Sequence, residues 1–328
     1  MNRRQSLAFG LALLAATALS PIEAFAQEQY PTRPIRLVVP FPPGGVVDTI
    51  GRLWAEKVGP SLGTIVVDNR GGAGGVIGAG EVARARPDGY TVLMGNSSTQ
   101  ILNPTVMRRP PYDAVKEFVT VDMIALSATS VMVHPSVPAR TLKQLIGYAR
   151  ANPGKLSYGS AGAGTLTNLA GEMFKQRAGG LDIVHVPYKG VGLATADLVS
   201  GYIPMMTPNV TAQLLNLHRA GKVRILAVNA PTRLKAAADI PATVETLPNM
   251  IAQLFTGLFV PAGTPKPIIE RLSQVTRQAL ADDGFQKTLI QSGFEPVLDS
   301  SPEKAQRFVD QERERLMPLI QATGFKRD

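Results

Sequence analysis

Short β-branched apolar runs alternate with amphipathic stretches along most of the chain. Residues 35–39 form a run that is apolar except for Arg36 and ends at Pro40, a pattern typical of a central strand covered on both faces. After the turn PFPPGG, apolar residues between Val46 and Val58 recur at helical spacing. Because strands and helices continue to alternate, the sequence predicts an α/β fold whose sheets are mainly parallel and flanked by helices.

The later elements form a second series, which predicts two lobes. This series begins at 131–133, and 328 residues exceed the usual size of a single core. Lobe 1 is predicted at 27–127 plus 256–328 and lobe 2 at 128–255, with crossings near 125–132 and 252–260. Further strands are predicted at 64–67, 90–95, 156–158, 183–186 and 223–228, and further helices at 76–85, 142–151, 165–178, 192–200, 211–220, 265–281, 285–291 and from 302.

The N-terminus has the features of a cleavable export signal. Arg3 and Arg4 precede an apolar run at 7–19, and the small-residue site Ala24-Phe25-Ala26 follows. The run is too short to span a membrane, and no later stretch of 18 apolar residues occurs. Residues 1–26 are therefore predicted to be a signal peptide and the mature chain to be periplasmic. Two arginines are common in any such signal, which favours the Sec route over the twin-arginine route.

Composition removes several functional classes. The chain has no cysteine, which excludes thiol catalysis and cysteine-bound metals, and its net charge of +9 is spread without long basic runs or nucleic-acid motifs. His134, His185 and His218 lie far apart, and a G-x-G-x-x-A match at 78–83 falls inside a predicted helix. We expect no metal, no cofactor, no nucleic acid partner and no enzymatic activity, and we expect a monomer.

Two glycine-rich loops follow predicted strands and open predicted helices. Free backbone amides and the positive end of a helix dipole make such loops possible anion seats, although each could also be a tight turn without a ligand. The loops are PFPPGG at 40–45 and GSAGAGT at 159–165. Asp48 is predicted to hold loop or helix amides. Phe41 is either a pocket wall or a core residue, and Tyr188 either reaches the cleft or packs half-buried.

Matching stretches run over nearly the whole predicted mature chain: YPTRPIRLVVPFPPGGVVDTIGR (30–52), VVDNRGGAGGVIGAG (66–80), PDGYTVLMG (87–95), VHPSVPARTLKQLI (133–146), KLSYGSAGAGTLTNLAGEMFK (155–175), HVPYKG (185–190), AGKVRILAV (220–228) and VPAGTPKPIIERL (260–272). In these stretches the chain resembles the Bug family of periplasmic solute receptors, the substrate-binding components of tripartite tricarboxylate transporters. The resemblance implies a two-domain type II periplasmic binding protein fold, a Venus flytrap that closes on a ligand between its lobes.

The resemblance also implies the ligand class and the binding residues. Family members bind small carboxylates, and the membrane subunits of the transporter would be the partner. The ligand-binding residues it indicates are Phe41, Gly44, Gly45, Ser97, Ser98, Ser160, Gly162, Gly164 and Thr165. We add Tyr188 and Asn168 to this set. Asn168 is a departure, since the family usually has histidine there.

Other departures leave the identity of the acid open. Residues 252–255 read Ala-Gln-Leu-Phe where a tryptophan is common, and 202–206 lack the usual acidic residue. A dicarboxylate, an aromatic acid and related organic acids all remain candidates. The alternative function is an exported receptor that acts as a signalling adaptor for a membrane sensor kinase. An exported hydrolase or transferase ranks below both, because no catalytic constellation is present.

Overall fold

Two mixed β-sheets organise residues 30–322, the part of the chain that the structure, a computed structural model, describes. The predicted signal peptide at 1–26 lies outside these residues. The elements described below belong to one compact unit that begins at Arg33. The strands are β1 (Ile35–Val39), β2 (Ile65–Asn69), β3 (Thr91–Asn96), β4 (Phe118–Ala128), β5 (Ser130–Val133), β6 (Leu156–Ser160), β7 (Ile183–Pro187), β8 (Met205–Met206), β9 (Arg224–Val228), β10 (Gln253–Pro261) and β11 (Glu295–Pro296).

Helices separate most of these strands. The α-helices are α1 (Val46–Leu62), α2 (Val76–Ala83), α3 (Asn103–Val106), α4 (Leu142–Ala151), α5 (Leu166–Arg177), α6 (Val191–Val199), α7 (Ala212–Arg219), α8 (Lys266–Leu280), α9 (Asp283–Gln291) and α10 (Pro302–Ala322). A π-helical turn, Ser98–Leu102, precedes α3, and short 3-10 turns occupy Ala73–Gly75, Lys235–Ala237 and Thr243–Glu245. Threonine hydroxyls cap three helices: Thr141 before α4, Thr165 before α5 and Thr211 before α7.

The first sheet has the strand order β11-β4-β10-β3-β1-β2. Strand β1 runs parallel to β2 and β3, whereas β10 runs antiparallel to both β3 and β4. Consequently the carboxyl ends of β1, β3 and β4 lie at one edge of this sheet. The chain leaves the first sheet at that edge, since only Thr129 separates β4 from β5 in the second sheet.

The second sheet has the strand order β7-β6-β8-β5-β9. Strand β6 runs parallel to β7 and β8, and β5 runs antiparallel to β8 and β9. Because β5 leads away from the junction with the first sheet, the carboxyl ends of β6, β7, β8 and β9 point back towards it. The carboxyl edges of the two sheets thus meet at one junction, which is where ligands bind in open α/β sheets.

The α/β fold of two helix-flanked sheets is confirmed, but the sheets are mixed rather than mainly parallel. The sequence also did not predict β4 and β10: the predicted crossing near 252–260 covers most of β10, and the crossing near 125–132 covers only the last residues of β4. Both are long, largely apolar strands that pair with each other over nine residue positions, Gln253–Pro261. They carry the chain directly between the sheets without a crossover helix, and β10 enters the first sheet at the edge where β4 leaves it and therefore runs antiparallel to its neighbours.

Close packing of α5 on the second sheet depends on a glycine. A Cβ at Gly171 would lie 2.1 Å from the ring of Tyr158, a fully buried side chain of β6. The absence of that carbon lets the tyrosine ring lie against the helix backbone. Its hydroxyl then reaches Glu172 on the same helix, at 2.7 Å.

We expect Gly171→Ala to lower the free energy of unfolding by about 2–3 kcal/mol, because the added methyl group overpacks a filled space. Gly147→Ala is the matched control, since Gly147 lies inside α4, is exposed and has open space around the added carbon. That variant should be stabilised by up to about 1 kcal/mol. Urea unfolding measures both, and equal stability of Gly171→Ala and wild type would contradict the described packing of α5 on β6.

Candidate functional site

A cavity of about 490 Å³ lies at the junction of the two sheets. Its volume is within the usual range for small-molecule sites. The first sheet and its loops contribute Phe41, Pro42, Pro43, Gly44, Gly45, Val46, Val47, Asn96, Ser98 and Leu254. The second sheet and its loops contribute Ala161, Thr165, Leu166, Thr167, Lys189, Gly190, Val191, Gly192, Leu193, Thr195, Asn209, Thr211, Gln213 and Leu214.

Four helices begin at the wall of this cavity. The first residues of α1, α5 and α6 line it, as do Thr211 and Gln213 at the start of α7, and each helix has eight residues or more. The first amides of a helix have no acceptor within it, and the helix dipole places partial positive charge there. Gly45 and Gly190 precede α1 and α6 and have no side chain that could cap these amides. The cavity wall is therefore rich in hydrogen-bond donors and suited to an anion.

The first glycine loop is held by Asp48. Its carboxylate accepts a hydrogen bond from the Gly44 amide at 2.9 Å and others from Arg52 and Asn69. Gly44 has a φ of 82°, a left-handed conformation that glycine adopts without strain. Burial acts to raise the pKa of Asp48, but these hydrogen bonds, with Arg52 foremost, lower the pKa below its ordinary value. Asp48 is thus a charged anchor beneath the loop.

The second glycine loop is held by hydroxyl groups of its own residues. The Ser160 hydroxyl accepts from the Gly162 amide at 3.1 Å, and the Thr165 hydroxyl donates to the Gly162 carbonyl at 2.7 Å. The Gly164 amide donates to Asn168 at 3.3 Å. Gly162 has a φ of 132°, and a Cβ there would lie 3.1 Å from the Tyr188 carbonyl. Among these residues only Thr165 lines the cavity; the others shape the loop behind it.

A polar network lies beneath the second loop. His185 Nε2 is 2.7 Å from the Ser160 hydroxyl, and Asn168 Nδ2 is 3.4 Å from His185 Nδ1. One neutral tautomer satisfies every contact: Nε2–H donates to Ser160, and Nδ1 accepts from Asn168. The His185 ring also stacks on the ring of Tyr158, at 4.8 Å between centroids. Burial, the largest influence, lowers the pKa of His185, which favours this neutral form.

Ser97 and Ser98 have different roles. The Ser97 hydroxyl is fully buried and accepts from the Phe255 amide of β10 at 3.1 Å, so it braces the first sheet. The Ser98 hydroxyl lines the cavity and accepts from the Leu166 amide at 3.1 Å. This second hydrogen bond joins the first lobe to the first residue of α5 in the second lobe. Since the Ser98 oxygen accepts, its own hydrogen remains available to an acceptor in the cavity.

The predicted ligand residues divide into cavity-lining and supporting groups. Phe41, Gly44, Gly45, Ser98 and Thr165 line the cavity, whereas Ser97, Ser160, Gly162, Gly164, Asn168 and Tyr188 do not. The Tyr188 hydroxyl instead donates to Asp197 on α6 at 2.7 Å, and its ring packs against the core of the second lobe. The sequence does not indicate whether a tyrosine at a strand end points into the cavity or packs against a neighbouring helix.

Sequence reasoning missed several lining residues. Lys189 is exposed and is the one charged side chain among the described residues that line the cavity. Asn96 at the end of β3 and Asn209 after β8 also line it. Gly190 also lines the cavity, and the sequence could have predicted it, because it repeats the pattern of a glycine between a strand and a helix. No such signal marks the two asparagines.

Residues 30–322 contain neither a metal-binding cluster nor a membrane-spanning helix. No cluster of three or more His, Asp or Glu side chains there is arranged to hold a metal ion. No helix in that range combines the length and the apolar composition that crossing a membrane requires.

Comparison with known proteins identifies the family. The model of the tripartite tricarboxylate transporter family receptor, TctC, matches residues 50–325. The chain belongs to this family. The resemblance to Bug proteins is confirmed as well, because Protein BugT of Bordetella pertussis is 32% identical over 330 residues, covering 99% of each chain. The family is one of substrate-binding receptors rather than enzymes.

The similarity to a further relative and to a solved structure covers nearly the whole chain. The UPF0065 protein in the tcbD-tcbE intergenic region of Pseudomonas sp. strain P51 is 39% identical, covering 98% of this chain and 94% of its own. The structure of R. palustris Rpa4515 with adipate has a TM-score of 0.86 at 33% identity, covering 90% of this chain and 99% of that one. The described fold is thus that of a periplasmic binding protein.

The buried histidine makes stability depend on pH. The lowered pKa of His185 means that the unfolded chain takes up the proton more readily. The stability that neutral His185 provides is complete above the unfolded pKa of 6.5 and is lost as pH falls through the lower folded pKa. We expect the melting temperature of wild type to fall more steeply between pH 7 and pH 5 than that of His185→Gln. Parallel profiles from differential scanning calorimetry would show that His185 is not held neutral.

Proposed function

We propose that this chain is an exported receptor that captures a small carboxylate in the cavity and passes it to the membrane subunits of a tripartite transporter. The observation that carries the proposal is the convergence of four helix N-termini on one cavity. A carboxylate loses its hydration on burial, and binding is favourable only if preorganised donors replace that water. The amides of α1 and α6, with no capping side chain before them, supply such donors.

The rest of the cavity wall suits the carbon skeleton of an organic acid. Val47 and Leu254 of the first lobe and Leu193 and Leu214 of the second supply apolar surface. Inorganic anions such as phosphate or sulfate have no apolar portion and would leave this surface without a partner. The bound adipate of R. palustris Rpa4515, which shares the fold, supports an acid with a methylene chain as one candidate.

Ligand capture requires the two lobes to move, and the chain passages between the sheets are the pivot. Thr129, between β4 and β5, receives the Asn229 amide side chain at 2.8 Å. Its own hydroxyl donates to the Ala252 carbonyl at 2.9 Å. The two passages are thus fastened to each other at one point, which supports a hinge there. Closure then brings Ser98 to the Leu166 amide across the cavity.

A carboxylate panel tests the ligand class. Adipate, malate and related acids at 100 times the dissociation constant should add roughly 2.7 kcal/mol of apparent stability, seen as a rise in melting temperature. NAD and ATP should give no shift, since the chain has no motif for either. The absence of a shift with every acid of a broad panel would overturn the proposal.

Lys189 should increase the rate at which an anionic ligand associates with the cavity. An exposed cation at the cavity raises the local concentration of an anionic ligand, and salt screens the effect. We expect Lys189→Ala to slow association several-fold at low salt, with the difference shrinking at 0.5 M salt. The matched control is Lys222→Ala, which removes an exposed lysine of the same lobe away from the cavity. Equal stopped-flow rates for both variants would argue against this role.

A further inference from the structure

The side-chain amide of Asn168 is held in one orientation by its neighbours. Its Oδ1 accepts from the Gly164 amide at 3.3 Å, and its Nδ2 donates to the Tyr158 hydroxyl at 2.9 Å. The Gly164 N–H can only donate, so it requires the oxygen. The single hydrogen of the Tyr158 hydroxyl goes to Glu172 at 2.7 Å, so this hydroxyl accepts from Asn168. The NH₂ group of Asn168 is therefore the part that faces His185.

This fixed amide leaves His185 with one neutral form. Asn168 Nδ2 lies 3.4 Å from His185 Nδ1 and presents a hydrogen to it, so Nδ1 must be an acceptor. The hydrogen of the ring therefore lies on Nε2, which is 2.7 Å from the Ser160 oxygen. That oxygen also accepts from the Gly162 amide at 3.1 Å. The neutral ring thus links both supports of the second glycine loop, Ser160 and Asn168.

A protonated ring does not fit between these supports. A second hydrogen, on His185 Nδ1, would face the NH₂ group of Asn168, donor against donor. Turning the Asn168 amide by half a turn would offer its oxygen to His185 but set its NH₂ group against the Gly164 N–H. Gly164 is buried, so the loss of its acceptor is costly. Protonation of His185 therefore loosens the loop in either arrangement.

The supported loop forms part of the cavity wall and of the contact between lobes. Ala161 and Thr165, on either side of the segment 162–164, both line the cavity. The next amide, that of Leu166, donates across the cavity to the Ser98 hydroxyl at 3.1 Å. A change in the shape of the loop consequently disturbs the ligand-facing wall and the hydrogen bond that joins the two lobes.

Charged and titratable side chains face the His185 ring from β6 and α5. Burial has the largest influence on the pKa of His185 and lowers it. Glu172 of α5 acts to raise this pKa and Lys175 of the same helix to lower it, and the two form an ion pair at 2.9 Å. Tyr158 of β6 stacks on the ring. Because the two charges oppose each other, burial decides that the ring is neutral at pH 7.

We infer that Asn168 and His185 are positioning residues, which hold the second glycine loop in its ligand-binding shape only while the His185 ring is neutral. This inference rests on the proposed receptor function. Ligand binding then favours the neutral ring, and by linkage acidification favours release of the ligand. Affinity is complete well above the folded pKa of His185 and falls as pH decreases through it, by up to about tenfold for each pH unit below that pKa.

Isothermal titration calorimetry with adipate and malate at pH 7.5 and pH 4.5 tests the effect on binding. Glutamine offers one donor and one acceptor and takes up no proton, so His185→Gln should lack the switch. The ratio of the dissociation constants at the two pH values should be at least about threefold larger for wild type than for His185→Gln. Ionisation of the acid itself affects both proteins equally.

The matched control is His134→Gln, which removes a histidine of the same lobe that does not line the cavity. It should keep the wild-type ratio. Equal ratios for wild type and His185→Gln would overturn the inference. A smaller ratio for wild type than for His185→Gln would overturn it too, because His185 would then act as a positive charge that attracts the anion.

Nitrogen-15 NMR of the histidine rings provides an arm without ligand. Wild type at pH 7.5 should show His185 as the neutral ring with its hydrogen on Nε2. Asn168→Asp keeps an oxygen for Gly164 and turns the donor that faces His185 into an acceptor, so the pKa of His185 should rise. The ratio of dissociation constants should then be smaller than that of wild type. A wild-type ring that is charged at pH 7.5, or that carries its hydrogen on Nδ1, would contradict the positioning role.

The two proposals fail in different ways. If wild type binds adipate or malate with the same dependence on pH as His185→Gln, the receptor function stands and the positioning role is wrong. If wild type binds no acid of the panel, the receptor function is wrong and the positioning role fails with it. The NMR spectra then still decide whether Asn168 holds His185 in the Nε2–H form.

Discussion

Backbone amides at helix starts, which have no acceptor inside their own helix, are the constraint around which this protein is arranged. A helix cannot satisfy its own first amides, and four helices begin at one cavity, where α5 and α7 are capped by threonine and α1 and α6 have no side-chain cap. The cause is topological, since the carboxyl ends of β1 and β3 face those of β6 and β8 across the junction of the sheets. A binding protein for acids then needs little formal charge in its wall, because partial charges at helix ends replace it.

Such donors are useful only if they are held in position. Asp48 fixes the first loop with a full negative charge, which is tolerable because Arg52 and two amide groups compensate it. The second loop uses a neutral network instead, in which His185 links Ser160 to Asn168. Beneath both loops, these polar side chains hold the backbone in place and do not line the cavity. Donors that are already held in position lose little conformational entropy when the ligand binds.

In the proposed receptor, ligand affinity and lobe movement are coupled through Ser98. The Ser98 oxygen accepts a hydrogen bond from the Leu166 amide of the second lobe, and the Ser98 hydrogen can be donated to a ligand in the cavity. Each of these two hydrogen bonds polarises the hydroxyl group and strengthens the other. The proposed hinge lies at Thr129, where hydrogen bonds from Asn229 and to Ala252 hold the two passages between the sheets together.

Local pattern determined much of this protein. The glycine loops, the helices capped by threonine and the β-branched strands of both lobes follow from spacing and turn chemistry in the sequence, as does Asp48 at the first turn of α1. Tertiary structure alone decided the rest. The strands β4 and β10 became antiparallel neighbours because the chain crosses directly between sheets, and Tyr188 turned to Asp197 rather than to the cavity. Asn96 and Thr256 are 160 residues apart, and only strand register makes them partners. Sequence spacing sets local backbone geometry, whereas pairing across long separations depends on the global packing of both sheets.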